Sequence, residues 1–191
     1  MKTEPAEECK DMRHPLIIFS HCPVCGNDGF SDNDVKSRRC PHCGFVYYLN
    51  PSGATVAFVV NDKGELLVER RKNPPAQGTF DLPGGFADMG ETAEEGIARE
   101  VFEETGLRVT KARYLFSLPN QYLYSGMTIP TLDLFFCCEV ASTAELRAGD
   151  DAAECLWVPL HELSPQQFGL HSISQGVERF LREHAANQEK P

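Results

Sequence analysis

Gly85-Phe-Ala-Asp-Met-Gly-Glu-Thr-Ala-Glu-Glu-Gly-Ile-Ala-Arg-Glu-Val-Phe-Glu-Glu-Thr-Gly-Leu107 reads as a glycine-containing loop followed by a helix with both ends marked. Thr92, with Glu95 three residues on, forms a capping box that satisfies the first free backbone N–H groups of a helix. Gly106 supplies the stop, because a helix end that turns left-handed favours glycine. Between them Ala93, Ile97, Val101 and Thr105 recur every four residues and turn one face to a core. Glu100, Glu103 and Glu104 stand at i, i+3 and i+4, which gathers three carboxylates on one face. Like charges so placed repel by about 0.3 kcal/mol per pair, and a bridging cation removes that cost. Hard oxygen donors of this kind select Mg²⁺ or Mn²⁺. The same spacing also suits a solvated acidic helix in which Arg99 pairs with Glu95. Ahead of the helix, Gly84, Gly85 and Gly90 let backbone approach a ligand, and Glu91 is placed to fold back onto the Arg99 guanidinium.

Outward from this stretch the texture is that of alternating elements. Ala54-Thr-Val-Ala-Phe-Val-Val60 and Glu65-Leu-Leu-Val-Glu-Arg70 flank Asn61-Asp-Lys-Gly64 and predict a hairpin. Asn73 to Gly78 is loop by its Pro and Gly content, and Thr79 to Leu82 is a short strand ending at Pro83. Ala112 to Ser117, Thr131 to Val140 and Glu154 to Val158 predict further strands. Ser174 to His184 predicts a last helix with Val177, Phe180 and Leu181 on one face. Strands with helices at two places imply an α/β sandwich with a mixed sheet.

The spacing Gly85-x5-Glu91-x7-Arg99-Glu100-Val101-Phe102-Glu103-Glu104-Thr105-Gly106-Leu107 resembles the Nudix box at every specified position, and Leu82-Pro-Gly-Gly85 is similar to that family's lead-in. The resemblance runs from about Pro51 to Leu181. It implies a Nudix α/β/α sandwich and hydrolysis of a nucleoside diphosphate linked to another moiety. It implies that Glu100, Glu103 and Glu104 hold catalytic Mg²⁺ or Mn²⁺, with the Gly84 carbonyl as an extra ligand. Glu91 then positions Arg99, which orients the catalytic glutamates. Bound metal offsets phosphate charge and acidifies water, which suits attack at phosphorus. The general base is either one of these glutamates or a later one. Glu154 is the later candidate, because Asp-Asp-Ala-Ala-Glu-Cys-Leu-Trp157 resembles the family segment before a strand ending in Trp. Arg70, Phe58, Phe80 and Phe86 are candidates to line the substrate cleft, although the phenylalanines also suit a core.

Nearer the N-terminus, Cys22-Pro-Val-Cys25 and Cys40-Pro-His-Cys43 give C-x2-C-x14-C-x2-C, each pair followed by glycine (Gly26, Gly44). This resembles a zinc ribbon with four thiolates on one structural Zn²⁺, a closed site with no position left for chemistry. Two redox-active Cys-x-x-Cys pairs are the other reading. His21 and His42 stand beside the ligands as bystanders. Cys137, Cys138 and Cys155 sit in or beside apolar runs and read as buried thiols; Cys9 also remains. The expected organisation is a flexible arm over 1–19, the ribbon over 20–50, the hydrolase domain over 51–186 and a tail over 187–191. A chain of 191 residues with 41% hydrophobic and 24% charged residues can bury a core without disulfides. A net charge of −10 argues against broad electrostatic binding to nucleic acid or an anionic membrane, but not against an anionic substrate beside a bound cation. The short basic runs Lys36 to Arg39 and Glu69 to Lys72 read as solvated faces. No apolar run reaches the roughly 20 residues of a membrane span, and the expected location is the cytoplasm.

A zinc ribbon followed by a Nudix domain resembles the NADH pyrophosphatase group, with Tyr47-Tyr-Leu-Asn-Pro51 similar to its linker and Ser172-Ile-Ser-Gln-Gly176 to its last helix start. That group carries Ser-Gln-Pro-Trp-Pro-Phe-Pro-x-Ser where this chain has Ser117-Leu-Pro-Asn-Gln-Tyr-Leu-Tyr-Ser125, so the Trp and Phe are missing. Tyr122 and Tyr124 are the aromatic candidates to stack on a base in their place, or else pack at a strand edge. The resemblance therefore admits NADH, ADP-ribose or a similar dinucleotide or sugar nucleotide as substrate, and a homodimer as assembly. The alternatives are a nucleoside triphosphate pyrophosphatase, a non-catalytic nucleotide sensor, which would be expected to have lost box glutamates that are all present here, a ribbon adaptor for nucleic acid or protein, and a Nudix isomerase.

Overall fold

The computed structural model describes residues 14–147 and 152–188 of the chain; Cys9 and Asp150–Asp151 lie outside the described residues. In order, the strands are β1 (Ser31–Asp34), β2 (Ser37–Arg39), β3 (Val46–Tyr48), β4 (Ser52–Val59), β5 (Glu65–Arg71), β6 (Phe80–Asp81), β7 (Gly84–Phe86), β8 (Val109–Tyr124), β9 (Met127–Val140) and β10 (Ala152–Pro159). Helix α1 (Ala93–Thr105) follows β7 and α2 (His171–Gln188) closes the fold. The described residues divide into two compact units, one holding 14–50 together with Leu123–Ile129, the other holding 51–122, 130–147 and 152–188. No helix among the described residues is long and apolar enough to cross a membrane.

The smaller unit carries the antiparallel sheet β1-β2-β3. Its two cysteine knuckles repeat one geometry. Gly26 and Gly44, both at positive φ (73° and 77°), donate to Cys22 O (2.9 Å) and Cys40 O (3.0 Å). Cys22 and Cys40 in turn donate to Asn27 O and Phe45 O, each at 2.8 Å. The core here is small: Cys22, Phe30 and Cys40 with Phe45 against them, the two rings stacked at 6.3 Å. Residues 14–19, expected as part of a flexible arm, instead form a turn with Leu16 fully buried. Arg38 holds that turn by donating to Leu16 O and Phe19 O (3.3 and 2.7 Å) and pairs with Asp32 (2.9 Å). Arg38 is thus spent internally, which removes it from the basic run expected on the surface.

The larger unit has two sheets, β10-β5-β6 and β7-β4-β9-β8, with β4 and β9 parallel and β4 and β7 antiparallel. Alternation along the strands explains the layers. Val56, Phe58, Leu66, Val68 and Phe135 pack with Ile173, Val177 and Phe180 of α2, while Ala57, Val59, Leu67 and Phe136 pack with Ile97 and Val101 of α1. A sheet buried on both faces between two helices is an α/β/α sandwich. The predicted hairpin of 54–60 with 65–70 forms only the single bridge Val60↔Leu66. The reason is competition: β4 takes β9 and β7 as neighbours, β5 takes β10 and β6. Pro119 lies inside β8, a strand at the sheet edge, where a missing N–H costs least.

Candidate active site

Helix α1 starts as its sequence dictates, with Thr92 and Glu95 exchanging both capping-box bonds, and ends at Gly106 in the left-handed region (φ 73°). Arg99 is the hub of the site. Its Nε and Nη2 donate to the two Glu91 oxygens at 2.9 and 3.0 Å, its Nη1 donates to Glu100 Oε1 (2.7 Å) and Glu103 Oε2 (3.1 Å), and Nη2 also reaches Phe86 O (3.1 Å). One guanidinium thus ties the loop, β7 and two of the three helix glutamates together. The alternative pairing with Glu95 is not used, because Glu95 is engaged in the cap. The Arg99 guanidinium holds the Glu91 carboxyl below its ordinary range.

Glu104 belongs to the other side of the cluster. Its Oε2 accepts the Gly84 N–H at 2.8 Å. Burial, followed by the neighbouring Glu69 charge, pushes its carboxyl up to about 9. Glu100 is raised as well, first by burial. Glu103 is the exposed member of the three, with 57% of its side chain accessible. Partly buried carboxyls pushed up together are a site that takes either protons or a cation, and an all-oxygen donor set fits Mg²⁺ or Mn²⁺. Gly84 (φ 154°) lies against β4, where any Cβ would collide with the Thr55 carbonyl oxygen. A Cβ on Gly85 would meet the Glu100 carboxylate at 2.6–2.8 Å.

Two cavities of about 250 and 310 Å³ adjoin these groups, and both are lined by Arg71, Asp81, Leu82, Gly84, Glu104 and Tyr122. The smaller adds Glu69, Arg70 and Lys72, the larger Glu100, Phe86, Asn120 and Asp133. Phe86 meets Tyr122 edge to face at 5.9 Å. Phe80 lies under the Arg70 guanidinium (4.9 Å). Glu154 pairs with Arg70 at 2.6 Å from the neighbouring strand and lines neither cavity. Phe58 is corrected: it is fully buried and stacked on Phe180 at 4.1 Å, so it belongs to the core and not to the cleft. Tyr124 is grouped with the smaller unit, apart from Tyr122.

The sequence reading missed three buried acids. Glu69 sits opposite Asp81 on β5 and β6, and Asp81 is paired with Arg71. Asp133 is 4% exposed within the apolar run of β9. The available signal was an acid inside an otherwise apolar strand, at Leu66-Leu-Val-Glu69 and Leu132-Asp-Leu-Phe135.

In the smaller unit the Sγ atoms of Cys22, Cys25, Cys40 and Cys43 all lie within 4.8 Å of one another, with Cys22–Cys43 and Cys25–Cys40 at 3.6 Å. Four thiolates about 2.3 Å from one tetrahedral ion would be spaced by about 3.8 Å, so the cluster can hold zinc. The Cys43 backbone amide pushes the Cys40 thiol below its ordinary range, while burial and the neighbouring thiols push Cys25 and Cys43 up, as expected when one of four crowded thiols gives up its proton first.

Comparison with known proteins adds the following. A family model described as NUDIX domain matches residues 50–179. An ADP-ribose pyrophosphatase of Methanocaldococcus jannaschii is 36% identical over 153 residues, which is 79% of this chain and 86% of that protein. An NAD-capped RNA hydrolase NudC of Haemophilus influenzae is 33% identical over 121 residues, 61% of this chain; the chain spans only 45% of that relative's length. The crystal structure of a NUDIX hydrolase from Nitrosomonas europaea superposes with a TM-score of 0.69 at 23% identity, covering 90% of this chain and 94% of the other.

Proposed function

This chain belongs to the Nudix family, and we propose that it is a metal-dependent pyrophosphohydrolase that cuts a nucleoside diphosphate linked to a second moiety, with ADP-ribose and NADH-like dinucleotides as the leading substrates. The observation that carries this reading is the Arg99 hub beside the two cavities: it holds Glu100 and Glu103 side by side, while the Gly84 amide holds Glu104. The relative of 36% identity named an ADP-ribose pyrophosphatase supports the substrate class.

Mg²⁺ or Mn²⁺, held by Glu100, Glu103 and Glu104 with the Gly84 carbonyl, would supply charge neutralisation at the phosphates and a more acidic water. The chain's own residues do the rest. Glu91 clamps Arg99, and Arg99 orients two of the glutamates. Gly84 lets backbone approach where a side chain has no room. Phe86 and Tyr122 offer aromatic surface to a base, and Arg70, held over Phe80, offers a cation to the distal part of the substrate. The proton acceptor is to be sought among the carboxylates that line the cavities, Glu69, Asp81, Glu100 and Glu104, in preference to Glu154, which lines neither. The four cysteines hold one structural Zn²⁺ in a ribbon over 20–50 that precedes a hydrolase domain over 51–186, and the assembly is a homodimer.

The test is turnover of NADH, NAD, ADP-ribose, dinucleoside polyphosphates and nucleoside triphosphates with Mg²⁺ or Mn²⁺, with the products separated. Cleavage of the linked diphosphates in preference to triphosphates is expected. If every phosphoanhydride stays intact, the reading is wrong.

A further inference from the structure

The larger cavity has a polar wall that nothing above uses. Across the sheet, Asp133 of β9 and Phe86 of β7 both face Ala54 of β4, while Gly84 faces Val56. The Asp133 level is therefore two residues, about 7 Å, along the strand from the Gly84 level. That is the reach from a diphosphate to the nucleoside it carries. Ala54, Val56 and Asp133 line this cavity together with Ser172 and Ile173 from the first turn of α2.

Asp133 is unusual for its depth. It is 4% exposed, and among the described residues no Lys, Arg or His pairs with it. Thr131 Oγ1 donates to its Oδ1 at 2.6 Å and Asn120 Nδ2 donates to its Oδ2 at 3.0 Å. A carboxylate offers about four acceptor positions, so two neutral donors leave about half of them free. Burial without a cation or full hydrogen bonding is costly, and such a group persists where a ligand completes it. An independent sign on the same wall is Ser172, whose hydroxyl is buried with no hydrogen-bond partner among the described residues. Phe86, 43% exposed, stands at the Asp133 level and lines the same cavity, so a planar base lying against that ring presents its edge to the acid.

We propose that Asp133 is a specificity-determining residue: its carboxylate accepts a hydrogen bond from an N–H or O–H donor on the nucleoside half of the substrate, while Thr131 and Asn120 hold it in position. The inference rests on the pyrophosphohydrolase reading and adds the chemical group that the cavity selects. The donor is either the amino group of the base or the 2′-hydroxyl of the sugar. In both cases a substrate lacking it leaves a buried carboxylate unsatisfied, and such sites discriminate strongly.

The experiment uses the intact chain with Mn²⁺ and the adenine nucleotide that turns over best in the panel. It compares kcat/KM for that compound, for its unsubstituted purine counterpart (amino group replaced by hydrogen) and for its 2′-deoxyadenosine counterpart. One counterpart should fall by at least about 10²-fold, chiefly through KM. A fall with the unsubstituted purine identifies the base as the donor, and a fall with the deoxy sugar identifies the ribose. Asp133→Asn, which offers both a donor and an acceptor, should shrink the larger ratio to below about tenfold. Two results overturn the inference while leaving the pyrophosphohydrolase reading intact. One is that wild type treats all three substrates within about threefold. The other is that Asp133→Asn lowers all three by one common factor. If no compound in the panel turns over, the function reading falls and this inference falls with it.

Discussion

Gly84 shows how closely one residue can be constrained. Its amide holds Glu104, and the space a Cβ would need is filled by the Thr55 carbonyl. Gly84→Ala should destabilise the protein by about 3 kcal/mol or more, seen as a lower denaturant midpoint, because backbone and not a flexible side chain must yield. A midpoint equal to wild type would refute the close approach. Glu103 is the opposite case. It is exposed, and among the described residues its carboxylate is bound by Arg99 alone, so Glu103→Gln should keep the melting temperature and lower kcat by at least about 10²-fold. Ser172→Ala removes an orphan buried hydroxyl and should raise stability by up to about 1 kcal/mol in urea titration. These residues differ in legibility. The glutamates are readable because helical spacing puts them on one face. Asp133 and Asn120 meet only through neighbouring long strands, and no local pattern announces that meeting. Phe58 misleads because an aromatic in a strand has the same pattern whether it faces a ligand or a second aromatic.

At the scale of elements, α1 is the part most fully written in local sequence. Its N-cap, capping box and left-handed stop all lie where the Thr92, Glu95 and Gly106 residue types place them. Thr92→Ala should cost about 1 kcal/mol in chemical denaturation, since it removes the hydroxyl that accepts from the Glu95 backbone N–H and donates to the Glu95 carboxylate, leaving only the bond from the Thr92 backbone N–H. Because that helix carries Arg99 and the three glutamates, the same change should lower activity more at elevated temperature than at 25 °C. The strands are less legible in their partners than in their existence. The turn at Asn61 to Gly64 is real, with Gly64 at φ 75°, yet the strands on either side go to different sheets. Partner choice depends on β9 and β10, far along the chain, and a two-residue period says nothing about which neighbour wins.

For the whole molecule, the smaller unit is the one with the smaller apolar core. It buries few apolar side chains, and two of its core members are the thiols Cys22 and Cys40. Cys40→Ser should abolish zinc retention, measured by metal analysis, and lower the first thermal transition. A zinc-free variant with an unchanged melt would show that the unit stands without metal. The division into a cysteine-bearing segment and a sandwich is visible in the change of sequence texture near Pro51. What the texture hides is the return of the chain: Leu123–Ile129 groups with the segment before Asn50, although it interrupts the two longest strands of the sandwich unit. A deletion mutant that begins at Pro51 is therefore not a clean excision. It keeps a β8–β9 tip that falls in the other unit and whose Leu123 and Tyr124 are already largely exposed. Anyone trimming the gene to isolate the enzyme would have to shorten that tip as well.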